Sequence, residues 1–311
     1  MGYSDPALRL RKPIPSALPR LEDRVSFLYL DCCKIAQSAT GVTGYYDDQS
    51  PGPAEIDIPA GSIAALILGP GTSVTAPAVA TLARAGCAIV YTGEEGMVAY
   101  GQATPLTASG EWAQAQARVW ANPQTRLAAA LWLYRKRFPH SELPPDLTLA
   151  TLRGLEGRHV RLAYQEHATR HHLRNFRRVT VGATDNVNIA LNMANSLLYG
   201  CAAAVCSALA LNPALGIIHH GDASAFLFDI ADLYKLQTAV PAAFAAAQTE
   251  DPKTHVRRAM RRHFRDQQML SAMMTTITEL FGPHRQAATS DQLLDDAGYV
   301  PGGHNYGQPC S

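Results

Sequence analysis

The stretch from Gly216 to Lys235, GIIHHGDASAFLFDIADLYK, carries the residues that decide how this sequence is interpreted. It sets the histidine pair His219 and His220 and two aspartates among apolar residues, where an unpaired charge is costly. Asp229 stands where a helix is predicted to begin, and Asp232 follows three residues later, as in a capping box. Two carboxylates on one side of a helical turn, with an imidazole upstream, also suit a divalent cation. The local pattern leaves both a helix cap and a metal site open.

The chain around this stretch changes character near residue 109. Residues 21–108 hold short runs rich in Val, Ile and Tyr between Gly, Pro and Asp, which predict strands, with one helix ending at Gly86. Residues 109–285 hold long helical patterns. The predicted fold class is therefore α+β, a small amino-terminal β-rich domain followed by a larger all-α domain. Residues 1–20 predict an extended arm, and residues 286–311 a mobile tail.

Composition excludes several classes of protein. The chain has 311 residues, 47% of them hydrophobic, as in a globular protein. Its longest apolar run, Ala190 to Leu211, is interrupted by polar residues, so a buried helix is predicted rather than a membrane span. The six cysteines include no C-x-x-C pair, which argues against a disulfide framework or a zinc knuckle. A reducing, cytoplasmic location and no membrane partner are expected.

Charge is segregated along the chain although the net charge is only +1. Leu152 to Arg178 carries +5 and Lys253 to Arg265 carries +6, so the remaining residues carry −10. Such segregation can create a basic surface for phosphate groups on a neutral protein. Solvated helix faces are the alternative for either segment alone.

A second acidic residue, Glu156, lies within a helical pattern between Gly154 and Gly157. Each glycine costs about 0.5–1 kcal/mol relative to alanine in a helix interior. The pair therefore suggests close approach by another backbone or by a ligand, and simple helix packing is the alternative. Nearby arginines make Glu156 either a salt-bridge hub or a metal ligand in a phosphate-binding groove. These arginines are Arg153, Arg158 and Arg161.

Histidines form another group on the same predicted helix. His167 and His171 have the i, i+4 spacing of metal ligands, and His159 and His172 lie close in sequence. No H-E-x-x-H motif accompanies them, so a polar helix face that helps to bind phosphate is the simpler interpretation.

Several separated motifs together resemble one known family. They are "LEDRVSFLYLD", "IPAGSIAALILGPGTSVT", "YTGEEGMVAYG", "RGLEG", "LYG" ending at Gly200, and "IIHHGD" followed by "FLFDIADLYK". In this order they resemble the CRISPR-associated endonuclease and integrase of spacer acquisition, the first Cas protein, in its I-E subtype. The resemblance covers about residues 21 to 270.

The resemblance implies a metal-dependent active site for Mg²⁺ or Mn²⁺. Glu156, His219 and Asp232 match the family's metal ligands; His219 is preferred to His220 because it lies ten residues before Asp229. Asp229 matches an acid beside the site, as a catalytic helper or helix cap. Tyr199 matches a tyrosine near the site, whose alternative is a buried core tyrosine. Lys235 fits a phosphate contact near the metal.

The resemblance also implies DNA contacts. Arg257, Arg261 and Arg265 recur every four residues and so share one helix face. Arg153 and Arg178 are further predicted contacts.

The implied reaction is phosphoryl transfer that joins the 3′-hydroxyl ends of short double-stranded DNA into a CRISPR repeat array. The implied partners are DNA, a second copy of the chain as a homodimer, and the second Cas protein. A DNA-binding scaffold without metal chemistry and a metal-dependent hydrolase of small phosphoesters are the alternatives.

Overall fold

The computed structural model describes residues 25–39, 41–46, 54–93, 100–103, 110–143, 147–285, 292–295 and 298–304. Within them, strands precede helices, and the predicted α+β fold class is confirmed. The strands before the helical part are β1 (Val25–Leu30), β2 (Cys33–Gln37), β3 (Val42–Tyr46), β4 (Glu55–Ile58), β5 (Ile63–Leu68), β6 (Ser73–Val74), β7 (Ala88–Tyr91) and β8 (Gly101–Ala103). The first helix, α1 (Ala76–Arg84), lies between β6 and β7.

These eight strands form two sheets. The first has the order β1-β5-β7-β8, with β1, β5 and β7 parallel and β8 antiparallel to β7. The second has the order β4-β3-β2-β6. All six residues of β5 are buried, because its alternate side chains enter two different cores. Leu66 and Leu68 pack toward the second sheet and α1, whereas Ala65 and Ile67 pack toward the helices.

The helical part contains eight further helices within the described residues. They are α2 (Glu111–Ala121), α3 (Pro123–Arg137), α4 (Leu149–Arg170), α5 (Asn186–Ala208), α6 (Ala225–Lys235), α7 (Ala239–Ala246), α8 (Pro252–Asp266) and α9 (Met269–Phe281). Two long predicted helical patterns are each split in two. Pro241 cannot continue a helix from α6 and lies in the first turn of α7, where its missing N–H is tolerated. Gln268, with φ of 44°, separates α8 from α9.

The central element is α5, which contacts β5 and β7 on one side and α6, α7 and α8 on others. Its length and composition would allow it to cross a membrane, but 89% of its most apolar window is buried inside the protein. The prediction of a buried helix for this run is confirmed. Asp185 caps the helix, because its carboxylate accepts a hydrogen bond from the amide of Asn188 at 2.9 Å.

One apolar core joins strands and helices across the predicted domain boundary. Phe27 of β1, Ile67 of β5 and Val90 of β7 belong to the same buried cluster as Leu198 of α5. Phe27 also meets Phe264 of α8 edge to face, with ring centroids 5.1 Å apart. The first sheet thus forms one wall of the core beneath the helices. The division of the chain into domains at residues 21–108 and 109–285 stays a prediction.

The structure describes the two predicted terminal segments to different extents. The predicted arm, residues 1–20, lies outside the described residues. Within the predicted tail, strands β9 (Gln292–Asp295) and β10 (Gly298–His304) pair in antiparallel fashion. The mobility of the tail stays a prediction.

Truncation of Ile67 to alanine tests the shared core. We expect Ile67→Ala to lower the free energy of unfolding by about 2–5 kcal/mol, because the side chain is fully buried between sheet and helix. Urea unfolding followed by the helical circular-dichroism signal measures it. Val181→Ala is the control, since Val181 is 86% exposed and its truncation should change stability by at most about 0.5 kcal/mol. An unchanged helical transition in Ile67→Ala would show that sheet and helices do not share a core.

Candidate metal centre

Three residues far apart in sequence meet at one point of the helical part. Glu156 projects from the middle of α4, Asp232 from α6, and His219 from the irregular segment that precedes α6. One potential ligand atom of each lies within 4.8 Å of the others. Two carboxylates and one imidazole are a donor set that suits Mg²⁺ or Mn²⁺. A cavity of about 10 Å³ lined by all three has the space that about one water needs.

Asp229 has a different structural role from the one predicted. We predicted that it begins a helix, but α6 begins at Ala225, so Asp229 lies in its second turn. Its buried carboxylate accepts hydrogen bonds from the backbone amides of Ile217, Ile218 and His219. It therefore caps the segment upstream of α6, and the prediction that it caps its own helix is wrong. The error arose because the sequence "AFLF" continues the helix toward the amino terminus.

The same carboxylate orients the imidazole of His219. Nδ1 of His219 lies 2.8 Å from Oδ1 of Asp229, which assigns the proton to Nδ1 and leaves Nε2 as the nitrogen available to a metal ion. The side chain of His219 is 32% exposed, whereas that of Asp229 is fully buried. Asp229 thus orients the ring of His219, and a catalytic helper role for Asp229 stays a prediction.

Arginines hold the carbonyl groups of the segment whose amides Asp229 binds. Arg126 of α3 donates to the carbonyl oxygens of Gly216 and Ile217 at 2.9 and 3.0 Å. Arg153 of α4 donates through Nε to the carbonyl oxygen of Ile218 at 2.9 Å. Arg153 also donates to Nδ1 of His220, so that ring is held away from the candidate ligand set. The backbone leading to His219 is fixed from both sides.

Gly216 is required at the start of this segment. A Cβ atom there would lie 2.4 Å from the carbonyl oxygen of His219 and 2.7 Å from Cβ of Ala225. Gly154 and Gly157, which flank Glu156, differ: no described protein atom lies within 4 Å of a Cβ built at either. Among the described residues, contacts with other elements therefore do not explain these two glycines, and close approach by a ligand stays a prediction.

Arg137 is a member of the site that the sequence did not predict. Its Nη1 donates to Oε1 of Glu156 and lies 3.5 Å from Oδ2 of Asp232. The side chain is 6% exposed. Arg137 ends α3 within a run of basic residues that looks solvated, and no motif links it to Glu156. The arginines near Glu156 in sequence do not contact its carboxylate.

Lys235 and Tyr199 complete the charged centre. Nζ of Lys235 lies 2.5 Å from Oδ1 of Asp232 and donates to the hydroxyl of Tyr199 at 3.0 Å. Tyr199 is buried, and its ring meets Phe228 edge to face. The hydroxyl of Tyr199 thus orients Lys235, and Lys235 balances the charge of Asp232.

These contacts shift the pKa values of the candidate ligands in different directions. Burial raises the pKa of Glu156 despite the opposing effect of Arg137. Burial also acts to raise the pKa of Asp232, but Lys235 and Arg137 outweigh it and hold that pKa below its ordinary value. Burial opposes charge on His219, yet the hydrogen bond to Asp229 and the nearby carboxylates raise its pKa.

The predicted DNA contacts fall into two groups. Arg153 and Arg178 are bonded internally; Arg178 donates to the side-chain oxygens of Asn188 at 3.1 Å and Asn192 at 2.6 Å. The residues on α8 are more accessible. Arg257 is partly exposed, lies 3.6 Å from Asp31 and lines a cavity of about 370 Å³. Arg261 and Arg265 are exposed.

The second histidine group packs partly against aromatic side chains. His167 and His171 lie 5.5 and 6.0 Å from the ring of Phe244, and burial lowers the pKa of His167. His159 stacks on Phe138 at 4.4 Å. These three histidines are half-buried against aromatic rings, and a phosphate-binding role for this helix face stays a prediction. In the described part of the chain, the metal-ligand cluster consists of Glu156, His219 and Asp232.

Comparison with known proteins agrees with this architecture. The family model for CRISPR associated protein Cas1 matches residues 136–255, which include all three candidate ligands. The CRISPR-associated endonuclease Cas1 2 of Thermus thermophilus is 37% identical over 316 residues, covering 95% of each chain. The crystal structure of a TtCas1–DNA complex is similar with a TM-score of 0.72 at 37% identity, covering 89% of this chain and 99% of that one.

A more distant structure shares the fold. It is a Cas6-RT-Cas1–Cas2 complex, with a TM-score of 0.63 at 15% identity, covering 88% of this chain and 36% of that one. The match to these curated relatives places the chain, with its β-rich part, helical part and cluster of two carboxylates and a histidine, in the class of CRISPR-associated nucleases. The chain belongs to the Cas1 family of CRISPR-associated endonucleases.

A matched pair of glycine substitutions tests how His219 is positioned. We expect Gly216→Ala to destabilise the protein by about 1–3 kcal/mol, since the added methyl group clashes with backbone that Asp229 and Arg126 hold in place. Gly157→Ala should instead stabilise the protein by about 0.5–1 kcal/mol, because it meets open space on a helix. Thermal unfolding of both variants measures the difference. Equal melting temperatures would contradict the close packing of this segment.

Proposed function

We propose that this protein is a metal-dependent DNA endonuclease and integrase of CRISPR adaptation. It would join the 3′-hydroxyl ends of short double-stranded DNA, the new spacers, into a repeat array by phosphoryl transfer. The single observation that carries the proposal is the meeting of Glu156, His219 and Asp232 within 4.8 Å in a Cas1-family chain. Subtype I-E, a finer assignment, is part of the proposal and rests on the order of the sequence motifs.

Glu156, Asp232 and Nε2 of His219 would hold a Mg²⁺ or Mn²⁺ ion. When bound, that ion would polarise a phosphodiester and lower the barrier to in-line attack by a hydroxyl group. Asp229 keeps the imidazole in the tautomer that presents Nε2, and Arg126 and Arg153 keep the backbone of His219 in place. Tyr199 orients Lys235. A phosphate contact by Lys235 would require its pair with Asp232 to open.

Exposed arginines would bind the DNA backbone. Arg261 and Arg265 extend from α8 into solvent, and Arg257 lines the cavity of about 370 Å³ together with Lys253. The open surface above Gly154 and Gly157 would let a sugar-phosphate backbone come close to α4 beside Glu156. Arg153 and Arg178 are proposed contacts of a second kind, since they would have to bind DNA while keeping their internal hydrogen bonds.

The proposed partners follow from the relatives. One similar structure is a complex with DNA, and a more distant one contains Cas2. We propose that this chain binds double-stranded DNA with free 3′ ends, pairs with a second copy of itself, and assembles with Cas2 on CRISPR repeat DNA. The proposed location is the cytoplasm.

Strand transfer is the experiment that tests this function. A labelled short duplex with free 3′ ends is incubated with a supercoiled plasmid carrying a repeat array, Mn²⁺ and Cas2. Glu156→Gln should reduce joined product by about a hundredfold or more, the scale expected when a group that stabilises transition-state charge is lost. Glu166→Gln is the matched control, because Glu166 lies on the same helix, is 66% exposed and pairs only locally with Arg170.

The outcomes separate the alternative functions. Joined product that needs Glu156 supports the integrase. DNA binding without product in any metal would favour a scaffold, whereas hydrolysis of a small phosphoester without DNA binding would favour a phosphoesterase. Full activity of Glu156→Gln would contradict the proposed centre.

The pH dependence of cation binding reports on His219. We expect the affinity for Mn²⁺ to fall as the pH drops, starting above 6.5, because the raised pKa of His219 protonates the ring there and removes its lone pair. Calorimetric titrations between about pH 5.5 and pH 8.5 measure the midpoint. Asp229→Asn should move the midpoint to lower pH, since Asp229 is the main group that raises this pKa. His220→Ala should leave it in place, and an unchanged midpoint in Asp229→Asn would contradict the assignment.

A further inference from the structure

The two carboxylates of the candidate metal centre are already bridged by a cation of the protein itself. Arg137 donates through Nη1 to Oε1 of Glu156, and the same nitrogen lies 3.5 Å from Oδ2 of Asp232. Both carboxylate side chains are at most 13% exposed, so water screens these contacts weakly. The guanidinium therefore neutralises the oxygen atoms that a divalent cation would need.

Lys235 is the other cation at the centre, and it is anchored differently. Its Nζ donates to the hydroxyl of Tyr199 at 3.0 Å and lies 5.4 Å from the centre of that ring, in addition to its pair with Asp232. Arg137 has a comparable ring contact, since its Cζ lies 5.0 Å from the centre of the Phe138 ring. It has no second polar anchor among the described residues, because its Nε and Nη2 are buried without hydrogen-bond partners. Of the two cations, Arg137 is the one whose polar contacts are with the carboxylates alone.

Charge balance among the four side chains in direct contact favours a change in one of these contacts when a divalent cation binds. Glu156 and Asp232 bring two negative charges, and Arg137 and Lys235 bring two positive charges, so this group is neutral before any metal ion binds. A divalent cation at the same oxygen atoms would meet two resident cations at close range in a poorly screened environment. Nη1 of Arg137 also engages Oε1 of Glu156, which leaves this carboxylate with fewer free lone pairs for a metal ion.

We propose that the guanidinium of Arg137 pairs with Glu156 while no divalent cation is bound. Metal binding then displaces this guanidinium from Glu156. This rests on the metal centre of the proposed function. The contact with Arg137 keeps the two buried carboxylates paired while no metal ion is bound. Because a metal ion must break this contact, the affinity for the metal ion is lower. Arg137 is thus a positioning residue that competes with the cation for Glu156.

Calorimetric titration of the full-length protein with Mn²⁺ tests the competition directly. Arg137→Gln should bind Mn²⁺ about tenfold more tightly than the wild type. In this variant, Mn²⁺ no longer has to break the charge-assisted hydrogen bond between Arg137 and Glu156. Arg135→Gln is the matched control, since Arg135 lies two residues away on α3, is exposed, and carries the same charge. Its affinity should equal that of the wild type.

The outcomes distinguish this inference from the function on which it rests. Equal or weaker Mn²⁺ binding by a folded Arg137→Gln overturns the displacement and leaves the metal centre intact. Absence of Mn²⁺ binding by both the wild type and Arg137→Gln contradicts the metal centre itself, and the displacement with it. Equal gains in Arg135→Gln and Arg137→Gln overturn the inference, since general charge removal then explains both.

Crystals of the wild type keep the test available if Arg137→Gln does not fold. Crystals are grown without metal, and some of them are then soaked in Mn²⁺. The position of the Arg137 side chain is compared between the two structures. The expected result is a guanidinium on Glu156 without metal and away from it once Mn²⁺ is bound. A guanidinium that keeps Nη1 on Glu156 beside the bound Mn²⁺ would overturn the proposal.

Discussion

The buried carboxylate of Asp229 is the interaction on which the rest of the site depends. It accepts hydrogen bonds from three successive backbone amides and from the imidazole of His219. A buried carboxylate is stable only when such donors surround it, and here the donors belong to the segment that carries a candidate ligand. One side chain of α6 therefore fixes both the backbone and the ring of His219. Asp232, one turn later on the same helix, is held in register with it.

Burial and opposite charge together hold the acidic side chains of the candidate metal centre in position. The core beneath it is apolar and continuous from the first sheet to α5, so the elements that carry the ligands rest on a rigid support. Above that support, acidic and basic side chains alternate at close range, and Arg137 and Lys235 offset the repulsion between Glu156 and Asp232. Removing one member of such a buried pair typically costs about 3–5 kcal/mol. The two basic side chains therefore stabilise the buried carboxylates of the candidate site.

Local periodicity in the sequence predicted the fold class. The three candidate ligands were predicted from the family motifs that contain them. Glu156 lies sixty-three residues before His219, and the family resemblance linked them where spacing alone left a helix cap and a metal site open. Arg126 and Arg137 could not be predicted, since their contacts exist only once α3 packs against α4 and α6. The same limit explains the wrong prediction that Asp229 caps its own helix. Its hydrogen-bond partners lie outside that helix, and only the tertiary structure shows them.

Pulsed electron paramagnetic resonance of bound Mn²⁺ tests the central claim most directly, because it detects nitrogen nuclei coordinated to the metal ion. The account predicts coupling to one imidazole nitrogen in the wild type and in His220→Ala, and its loss in His219→Ala. Absence of nitrogen coupling in the wild type, or coupling that persists in His219→Ala, would contradict a metal centre built from Glu156, His219 and Asp232.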